Sequence, residues 1–260
     1  MLRVSDLALS YGATPVLEGV GMEVEDGEFV SLVGPSGSGK STVLRAIIGL
    51  QAPSAGKVEL AIDKREVGFL FQDDALLPWR RAAENVALGL RLRGMAKDEA
   101  LRRAEEWLGH LGLHGLGARY PRELSGGQRK RVALAQVLAL EPQLLLMDEP
   151  FSALDAITRA RLSQDLLKLV EGRHMSVLLV THDLEEALAL SDNVYLLSRG
   201  PKARIAGQYP VPIPRPRDII KARTHPEFGP LLERIWQNLS REVVGEPGKD
   251  DQWAGFSIGL

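Results

Sequence analysis

Gly34-Pro35-Ser36-Gly37-Ser38-Gly39-Lys40-Ser41 is the stretch that decides the fold. It follows the apolar run Phe29–Val33 and leads into the helix-favouring residues 42–50. This is the strand, loop and helix setting that the phosphate-loop pattern G-x-x-x-x-G-K-[ST] requires. The glycines allow a tight turn that points backbone N–H groups at an anion, at the N-terminus of the next helix. The sequence therefore predicts a nucleotide site on an α/β fold.

The last two residues of this stretch carry its chemistry. Lys40 is expected to reach the β- and γ-phosphates of the nucleotide, and Ser41 to offer its hydroxyl to a Mg²⁺ ion. A glycine-rich turn that matches by accident is the alternative, but the flanking strand and helix argue for a real site. The residues expected to bind the nucleotide here are Gly34, Pro35, Ser36, Gly37, Ser38, Gly39, Lys40, Ser41 and Thr42.

The composition fits a globular chain with mixed surface charge. Of its 260 residues 45% are hydrophobic, which allows a substantial core in one large domain or two small ones. The formal net charge is −2 with both signs interspersed, which argues against nucleic acid as the main partner. The sequence has no cysteine, which excludes disulfides, zinc–thiolate sites and thiol chemistry.

The sequence predicts neither export nor membrane insertion. Asp6 interrupts what would have to be the apolar core of a signal peptide. The longest apolar runs, such as residues 144–147, are far shorter than the ~20 residues of a membrane-spanning helix. We therefore expect a soluble chain that stays on the side of the membrane where it is made.

Periodicity predicts a sheet-based core with a helical insertion. Strand-like patterns precede the phosphate loop, and two or three of these strands are expected to be antiparallel. Residues 73–140 change to helical character, with Val86, Leu90 and Leu92 on one helix and Trp107 in the core of the insertion. Further strands are predicted at 57–62, 67–71, 144–147, 176–180 and 193–198, and further helices at 129–140, 156–170, 184–190 and 231–239.

Several isolated polar residues have both a functional and an ordinary interpretation. Tyr11 lies in a turn, where it either offers a flat face to adenine or is a plain half-buried side chain. Gln72 follows an apolar strand and either faces a ligand or simply ends the strand. His110 and His114 have no carboxylate or cysteine neighbours at ligand spacing, so we expect both at the surface.

The residues that open the helix predicted at 129–140 are suited to an anion. Ser125, Gly126, Gly127 and Gln128 precede an Ala- and Leu-rich run. Backbone N–H groups at a helix start attract an anion, and the basic run 129–131 is expected to reinforce this second site. The alternative is an ordinary serine N-cap followed by two glycines that only make the backbone flexible.

A buried strand ends in two adjacent carboxylates, Asp148 and Glu149. Because side chains alternate along a strand, the two should point in different directions and have different tasks. We expect Asp148 to join the Mg²⁺ shell and Glu149 to face the water that attacks the γ-phosphate. His182 follows another apolar strand at the same edge, and Asp183 is expected to cap the next helix.

In this order the motifs resemble those of the ATP-binding-cassette family of ATPases. Leu124-Ser125-Gly126-Gly127-Gln128 is similar to the family signature, and the resemblance runs from about Val4 to Ser198, three quarters of the chain. It implies an α/β fold with a P-loop NTPase core, in which a mostly parallel sheet is flanked by helices. An N-terminal antiparallel β subdomain and an inserted α-helical subdomain are implied as well.

The resemblance also assigns roles to single residues. It implies that Tyr11 stacks on adenine, that Gln72 touches Mg²⁺ and the attacking water, and that His182 is the switch histidine at the γ-phosphate. Asp155 corresponds to the loop residue that crosses a dimer interface. The implied cofactors are ATP and Mg²⁺. The implied catalytic residues are Glu149, His182 and Gln72, and the implied Mg²⁺ residues are Ser41, Gln72 and Asp148.

The family arrangement implies that one chain cannot complete an ATP site alone. The signature Ser125, Gly126, Gly127 and Gln128 of one protomer acts on the ATP that Lys40 of the other protomer holds. The implied partners are a second copy, transmembrane permease subunits and, indirectly, a solute-binding protein, with no nucleic acid. The implied location is the cytoplasmic face of the cell membrane, as a peripheral subunit.

A finer likeness is to the importer ATPases of the nitrate, sulfonate and taurine group. It rests on residues 76–80, 148–156 and 214–218, and the chain departs from the group at Gln128, where methionine is frequent. The implied function is to energise an importer for nitrate, sulfonate, taurine or a related small solute. A soluble ATPase of the same family, acting in repair or translation, is the alternative. A P-loop enzyme that phosphorylates a small molecule is a third, which the signature argues against.

Two boundaries follow from composition and resemblance. Residues 1–200 are expected to form the ATPase domain, with the helical subdomain at about 73–140 inserted into it. Residues 201–260 are expected to form a short C-terminal extension. The extension carries four prolines between 209 and 217, which favour an extended edge or a linker, and then a helix and a polar tail.

Overall fold

The computed structural model describes residues 1–152 and 154–244, and these form nine β-strands and eight α-helices. The strands are β1 (Leu2–Tyr11), β2 (Thr14–Val24), β3 (Phe29–Val33), β4 (Ala55–Leu60), β5 (Val67–Leu70), β6 (Leu144–Asp148), β7 (Ser176–Val180), β8 (Asn193–Leu197) and β9 (Ile205–Pro210). The helices are α1 (Lys40–Ile47), α2 (Ala82–Leu92), α3 (Lys97–His110), α4 (Gly126–Leu138), α5 (Ala156–Arg173), α6 (Leu184–Leu190), α7 (Ile219–Arg223) and α8 (Phe228–Val244). Ala153 and the predicted polar tail after residue 244 lie outside the described residues.

The central sheet has the strand order β5, β6, β7, β3, β8 and β9, and all strands but β9 run parallel. Its inner strands β3, β6 and β7 are buried at every position and are mostly apolar, because both faces of the sheet are covered. Along β6, Leu144 and Leu146 belong to one core cluster, while Leu145 and Met147 belong to the cluster on the opposite face. The predicted α/β core with a mostly parallel sheet is confirmed.

A smaller antiparallel sheet, in the order β2, β1 and β4, covers one face of the core. Leu7 and Leu9 of β1 are fully buried in the same cluster as Leu44 and Ile47 of α1. The predicted antiparallel strands are confirmed, but β4 starts at Ala55, two residues before the predicted start of this strand at 57. The reason is tertiary, since the β1 edge pairs with Ala55.

The insertion between β5 and β6 consists of α2, α3 and α4, as the helical pattern predicts. Trp107 is buried in the insertion, and His110 and His114 are exposed, so these three predictions are confirmed. Val86, Leu90 and Leu92 all lie on α2, as predicted, although Leu92 is 80% exposed. Two residues along an α-helix turn the side chain by about 200°, which carries Leu92 to the opposite face.

Residues beyond 200 are attached to the sheet and are not a free linker. The strand β9 pairs with β8, and Val211 and Ile213 in the proline-rich segment are buried. The guanidinium of Arg217 is buried and donates to the carboxylate of Asp192 at 2.8 Å. The short helix α7 was not predicted, and α8 is longer than expected. The boundary at residue 200 stays a prediction, although hydrogen bonds cross it.

Candidate functional site

The strand register brings the predicted polar residues to one edge of the central sheet. Leu70 pairs with Met147, Asp148 with Val180, and Val180 in turn with Leu32. Because these strands are parallel, the residues that follow them meet at the same edge, where α/β sheets bind their ligands. The phosphate loop, Gln72, the Asp148–Glu149 pair and His182 all follow these strand ends.

The phosphate loop wraps the start of α1. Gly39 caps the helix with φ of 98°, a left-handed conformation that favours glycine, and α1 then begins at Lys40. A Cβ atom on Gly39 would lie 2.9 Å from side-chain atoms of Val16 and Leu17, so the β1–β2 hairpin packs directly on the loop. Within the described residues, the buried Ser38 hydroxyl has no hydrogen-bond partner. A buried hydroxyl without a partner in such a loop suits a phosphate oxygen.

The ammonium group of Lys40 is turned back into the loop. Its Nζ donates to the carbonyl oxygens of Gly34 and Pro35, both at 2.9 Å. Burial lowers the pKa of Lys40, and the nearby carboxylates of Glu149 and Asp148 partly offset this. A buried cation held only by two carbonyls is stabilised further when an anion reaches it.

The two carboxylates after β6 contact different groups. Oδ1 of Asp148 accepts a 2.9 Å hydrogen bond from the Ser41 hydroxyl, and burial raises the pKa of Asp148 despite that bond. Oε2 of Glu149 lies 3.1 Å from Nδ1 of His182. Glu149 has a φ of 44°, which is uncommon for a residue with a side chain. Strained backbone of this kind concentrates at functional sites, so Glu149 is the chief candidate for a catalytic group.

The donor set at the edge fits a magnesium ion that is shared with a nucleotide. The described residues contain no group of three or more His, Asp or Glu side chains that would hold a metal alone. Mg²⁺ in nucleotide sites takes one or two protein oxygens and completes its shell with phosphate and water. The neighbouring Ser41 hydroxyl and Asp148 carboxylate supply oxygens of that type.

Tyr11 and Gln72 border this edge and are both exposed. The Tyr11 ring, 46% exposed, stands at the end of β1, in the hairpin that packs on the phosphate loop. Gln72 lies two residues beyond β5, and its backbone carbonyl accepts a hydrogen bond from Lys130 of α4. The structure therefore ties the position of Gln72 to the helix that carries the signature.

The signature residues occupy the start of α4 as an N-cap. The Ser125 hydroxyl oxygen accepts from the Gln128 N–H, and the Gln128 side chain accepts from the Ser125 N–H. Arg129 and Lys130 both form ion pairs with Asp74, which offset part of their charge, so the reinforcement by the basic run stays a prediction. Since the cap uses the hydroxyl only as an acceptor, its O–H still has a proton to donate to an anion.

The signature borders a cavity of about 400 Å³ that is separate from the phosphate loop. Its lining residues are Ser125, Gly126, Gly127, Gln128, Arg131, Leu154, Asp155 and Thr158. The described residues that line it include none of the phosphate loop. Asp155 caps α5 by accepting from the Thr158 N–H at 3.0 Å. The structure thus separates the predicted site residues into two groups on one chain.

Sequence reasoning missed Arg159, whose guanidinium donates to Asp183 at 3.0 Å and to the Leu154 carbonyl at 3.2 Å. Asp183 does cap α6, as predicted, by accepting from the Glu186 N–H. An arginine four residues after a helix cap has many ordinary surface uses, so its spacing gave no signal for this contact.

Comparisons with known proteins agree with this arrangement. A family model described as ABC transporter matches residues 17–152. The aliphatic sulfonates import ATP-binding protein SsuB 2 of Mesorhizobium japonicum is 45% identical over 245 residues, which cover 94% of this chain and 93% of that protein. The taurine import ATP-binding protein TauB of Escherichia coli K12 is 46% identical over 207 residues, which cover 77% of this chain and 81% of that protein. A dimeric post-hydrolysis structure of the ATP-binding cassette MJ0796 with ADP and Pi matches with a TM-score of 0.72 and 33% identity, covering 81% of this chain and 99% of that one.

Proposed function

Because the chain belongs to the ABC transporter family, we propose that it is the ATP-hydrolysing subunit that energises a multi-subunit importer. The observation that carries this proposal is the sheet edge where the Glu149 carboxylate, the Ser41–Asp148 pair and the buried Lys40 ammonium meet. Lys40 supplies a site for an anion, the Ser41–Asp148 pair supplies two oxygen ligands for a metal ion, and Glu149 supplies a candidate base. Phosphoryl transfer to water needs these three groups in one place.

The proposed chemistry depends mainly on positioning and charge. Lys40 leaves its two carbonyl partners to hold the β- and γ-phosphates, and the backbone N–H groups of Gly34 to Thr42 surround them. Glu149 orients and deprotonates the attacking water, and His182 holds Glu149 and senses the γ-phosphate. Tyr11 stacks on adenine. Phosphoryl transfer requires little covalent work from the protein beyond this.

A magnesium ion belongs to this proposal through the residues that fit it. Ser41, Asp148 and Gln72 would hold Mg²⁺, which neutralises developing charge on the phosphates when bound. Burial raises the pKa of Asp148 in the chain alone, and a cation bound to the carboxylate would oppose this shift. Because protons compete with Mg²⁺ for the Asp148 carboxylate, Mg²⁺ binding should weaken as the pH falls.

The position of the signature supports a dimer that shares its ATP sites. Ser125 and Gly126 to Gln128 line a cavity that contains no residue of the phosphate loop. One chain therefore cannot bring both groups to the same γ-phosphate without rearrangement, whereas two copies that face each other can. In the proposed cycle ATP joins the two copies, Asp155 crosses their interface, and hydrolysis releases them.

The segment 73–80 is the proposed contact with the permease. Trp79 is 71% exposed, although its neighbours are held in place by the buried Asn85, which bonds to the backbone of Leu77 and Arg80. Leu76 packs partly against the core, so this leucine belongs to the packing of the helical insertion and not to the proposed contact. A rigid loop that presents a large aromatic ring suits a groove for a partner helix.

The cargo is proposed from the relatives alone, because the ATPase does not contact it. The two curated relatives named above are import subunits for aliphatic sulfonates and taurine. We therefore favour a small organosulfonate or a related anion, delivered by a solute-binding protein to permease subunits at the membrane. Among the described residues, no helix has the length and hydropathy to cross a membrane, and attachment to the permease would place the chain at the cytoplasmic face.

The proposal is tested by reconstituting the chain with its permease and solute-binding protein in lipid vesicles. ATP on the side of the membrane that carries the ATPase should drive transport of radiolabelled taurine or an alkanesulfonate to that side. Sulfate, bicarbonate and nitrate serve as competing anions. Lys40→Ala should abolish uptake. If the purified chain hydrolyses ATP but associates with no permease, the soluble ATPase alternative is favoured instead.

A further inference from the structure

Two surfaces that the proposed function assigns to different ATP molecules are joined by direct contacts within one chain. The first surface is the signature cavity, which would face the ATP of the partner. The second is the loop of His182, which lies beside Glu149 and would face the ATP of the chain itself. The residues between these surfaces belong to the start of α5 and the start of α6.

At the signature end, Gly127 packs closely against the turn before α5. A Cβ atom on Gly127 would lie 3.0 Å from Cγ2 of Thr158 and 4.0 Å from Cδ2 of Leu154. The glycine thus allows α4 to touch the turn before α5. Because Thr158 is also fixed by the side chain of Asp155, a shift of the signature is passed to this turn as a unit.

Arg159 spans the middle of this path with its two terminal nitrogens. Nη2 donates to the carbonyl oxygen of Leu154 at 3.2 Å, and Nη1 donates to Oδ2 of Asp183 at 3.0 Å. The guanidinium is planar and its donors have fixed directions, so it sets the distance between its two acceptors. About a third of the Arg159 side chain is exposed, and slightly less of Asp183, so the bridge is partly shielded from water.

At the other end the loop of His182 is held on both sides. The Asp183 N–H donates to Oγ1 of Thr181 at 3.1 Å, and the Thr181 hydroxyl donates to Oε2 of Glu186 at 2.7 Å. Asp183 also accepts from the Glu186 N–H. A displacement of Asp183 therefore moves His182, which sits between these fixed residues.

We propose that Arg159 is a positioning residue that couples the two ATP sites of the dimer. By fixing Leu154 to Asp183, it transmits a movement of the Leu154–Asp155 turn, caused by the nucleotide of the partner, to His182. Arg159 itself touches neither ATP nor the attacking water. The inference rests on the proposed function, because it requires two copies that share their sites.

The test compares ATP hydrolysis by four forms of the full chain: wild type, Arg159→Gln, Arg159→Lys and the control Arg223→Gln. Arg223 also pairs with α6, through Glu185 at 3.5 Å, but it approaches from α7 and contacts no part of the Leu154–Asp155 turn. Lysine keeps the charge but has a single ammonium group in place of the planar guanidinium, so it cannot hold both the Leu154 carbonyl and the Asp183 carboxylate in fixed positions. Each form is checked for its melting temperature and for its secondary structure by circular dichroism.

We expect Arg159→Gln to lower kcat about tenfold, to leave KM within about twofold, and to reduce the Hill coefficient for ATP from its wild-type value towards one. Arg159→Lys should recover part of the rate without recovering the Hill coefficient, and Arg223→Gln should match wild type. Should Arg159→Gln fail to fold, Asp183→Asn carries the same test, because asparagine keeps the cap of α6 and loses the ion pair.

Two results overturn the inference, and they are separable from failure of the proposed function. If wild type is cooperative and Arg159→Gln keeps both its rate and its Hill coefficient, Arg159 does not couple the sites. If Arg159→Lys restores both quantities completely, the bridge is an ordinary ion pair. If wild type itself neither dimerises on ATP nor shows cooperativity, the shared-site dimer is wrong, and the inference falls with it.

Discussion

Among single residues, Glu149 combines an uncommon backbone conformation with a partner that fits a proton-transfer role. Its φ of 44° turns the chain out of β6, and its N–H donates to the Val180 carbonyl at 2.9 Å. Its carboxylate then faces His182 and not Ser41. A residue held in this way is pre-organised, because the backbone and not only the rotamer sets where the carboxylate lies.

The first prediction concerns that carboxylate. Glu149→Gln should bind MgATP with near-normal affinity yet lower the hydrolysis rate by about 10²- to 10⁴-fold, the usual contribution of a general base. Single-turnover hydrolysis and nucleotide binding are measured on the same preparation. Glu141→Gln is the control, since Glu141 also has a positive φ and precedes the opposite end of β6. Wild-type turnover in Glu149→Gln would remove this residue from the role.

The second prediction concerns Glu186, whose pKa is raised above its ordinary 4.5 because burial outweighs its hydrogen bond from Thr181. A group with a raised pKa in the folded state stabilises that state fully below pH 4.5 and less as the pH rises through the folded pKa. Relative to Glu186→Gln, the wild-type free energy of unfolding should therefore fall as the pH rises from 4.5 through the raised pKa, by at most about 1.4 kcal/mol per pH unit. Urea unfolding of both proteins over this range measures the difference, and a pH-independent difference would contradict the assignment.

The element scale shows what sequence patterns can and cannot predict. Buried strands such as β6 and β7 consist mainly of apolar residues, and the polar residues at their carboxyl ends mark the binding edge, so both were predictable. The start of β4 and the whole of α7 were not predictable, because edge pairing and packing on α5 and α6 override weak local patterns. The contact of Arg159 with Asp183 depends on how two helix starts meet in space, which no spacing along the chain encodes.

The third prediction concerns the loop 73–80. Trp79→Ala should leave the melting temperature and the basal ATPase rate unchanged, because the ring is 71% exposed, but it should abolish co-purification with the permease. Leu92→Ala is the matched control, since Leu92 is 80% exposed on the same helical insertion and lies outside the loop. Unfolding of Trp79→Ala, or full retention of the complex, would contradict the docking proposal.

The fourth prediction concerns how the segment after residue 200 is held. Asp192 accepts from Arg215, from the buried Arg217 and from the N–H of Phe29 at the start of β3. Asp192→Ala leaves the Arg217 guanidinium buried without a carboxylate to balance its charge. This should lower the free energy of unfolding by about 3–5 kcal/mol.

Urea unfolding measures that cost, and Glu23→Ala is the control. Glu23 pairs with Arg3 on an exposed strand edge, so its loss should cost less than about 1 kcal/mol. Equal, small effects of the two substitutions would mean that residues beyond 200 are dispensable for the ATPase fold. A large effect of Asp192→Ala would instead show that this extension contributes to the free energy of unfolding of the domain predicted to end near residue 200.

For the whole molecule, the separation of the two half-sites is the central feature. The phosphate loop, Glu149 and His182 lie at the sheet edge, whereas the signature opens a cavity bounded by the start of α5. In the proposed dimer, a second copy completes the ATP site of a chain divided in this way. Under this proposal, opening and closing of the pair is the motion that a permease bound at the loop 73–80 would use.

The most direct test of this account mixes two variants, each in the Glu149→Gln background so that bound ATP persists. Ser125→Arg damages the signature, and Lys40→Ala damages the phosphate loop. A heterodimer of the two has one site with both lesions and one intact site. Light scattering after size exclusion in MgATP gives the mass of each variant alone and of the mixture.

The account predicts a dimer for the parent Glu149→Gln, monomers for each variant alone, and the return of a dimer fraction in the mixture. That return also shows that the Ser125→Arg chain is folded. A Ser125→Arg variant that dimerises alone on ATP as well as its parent would contradict the shared site.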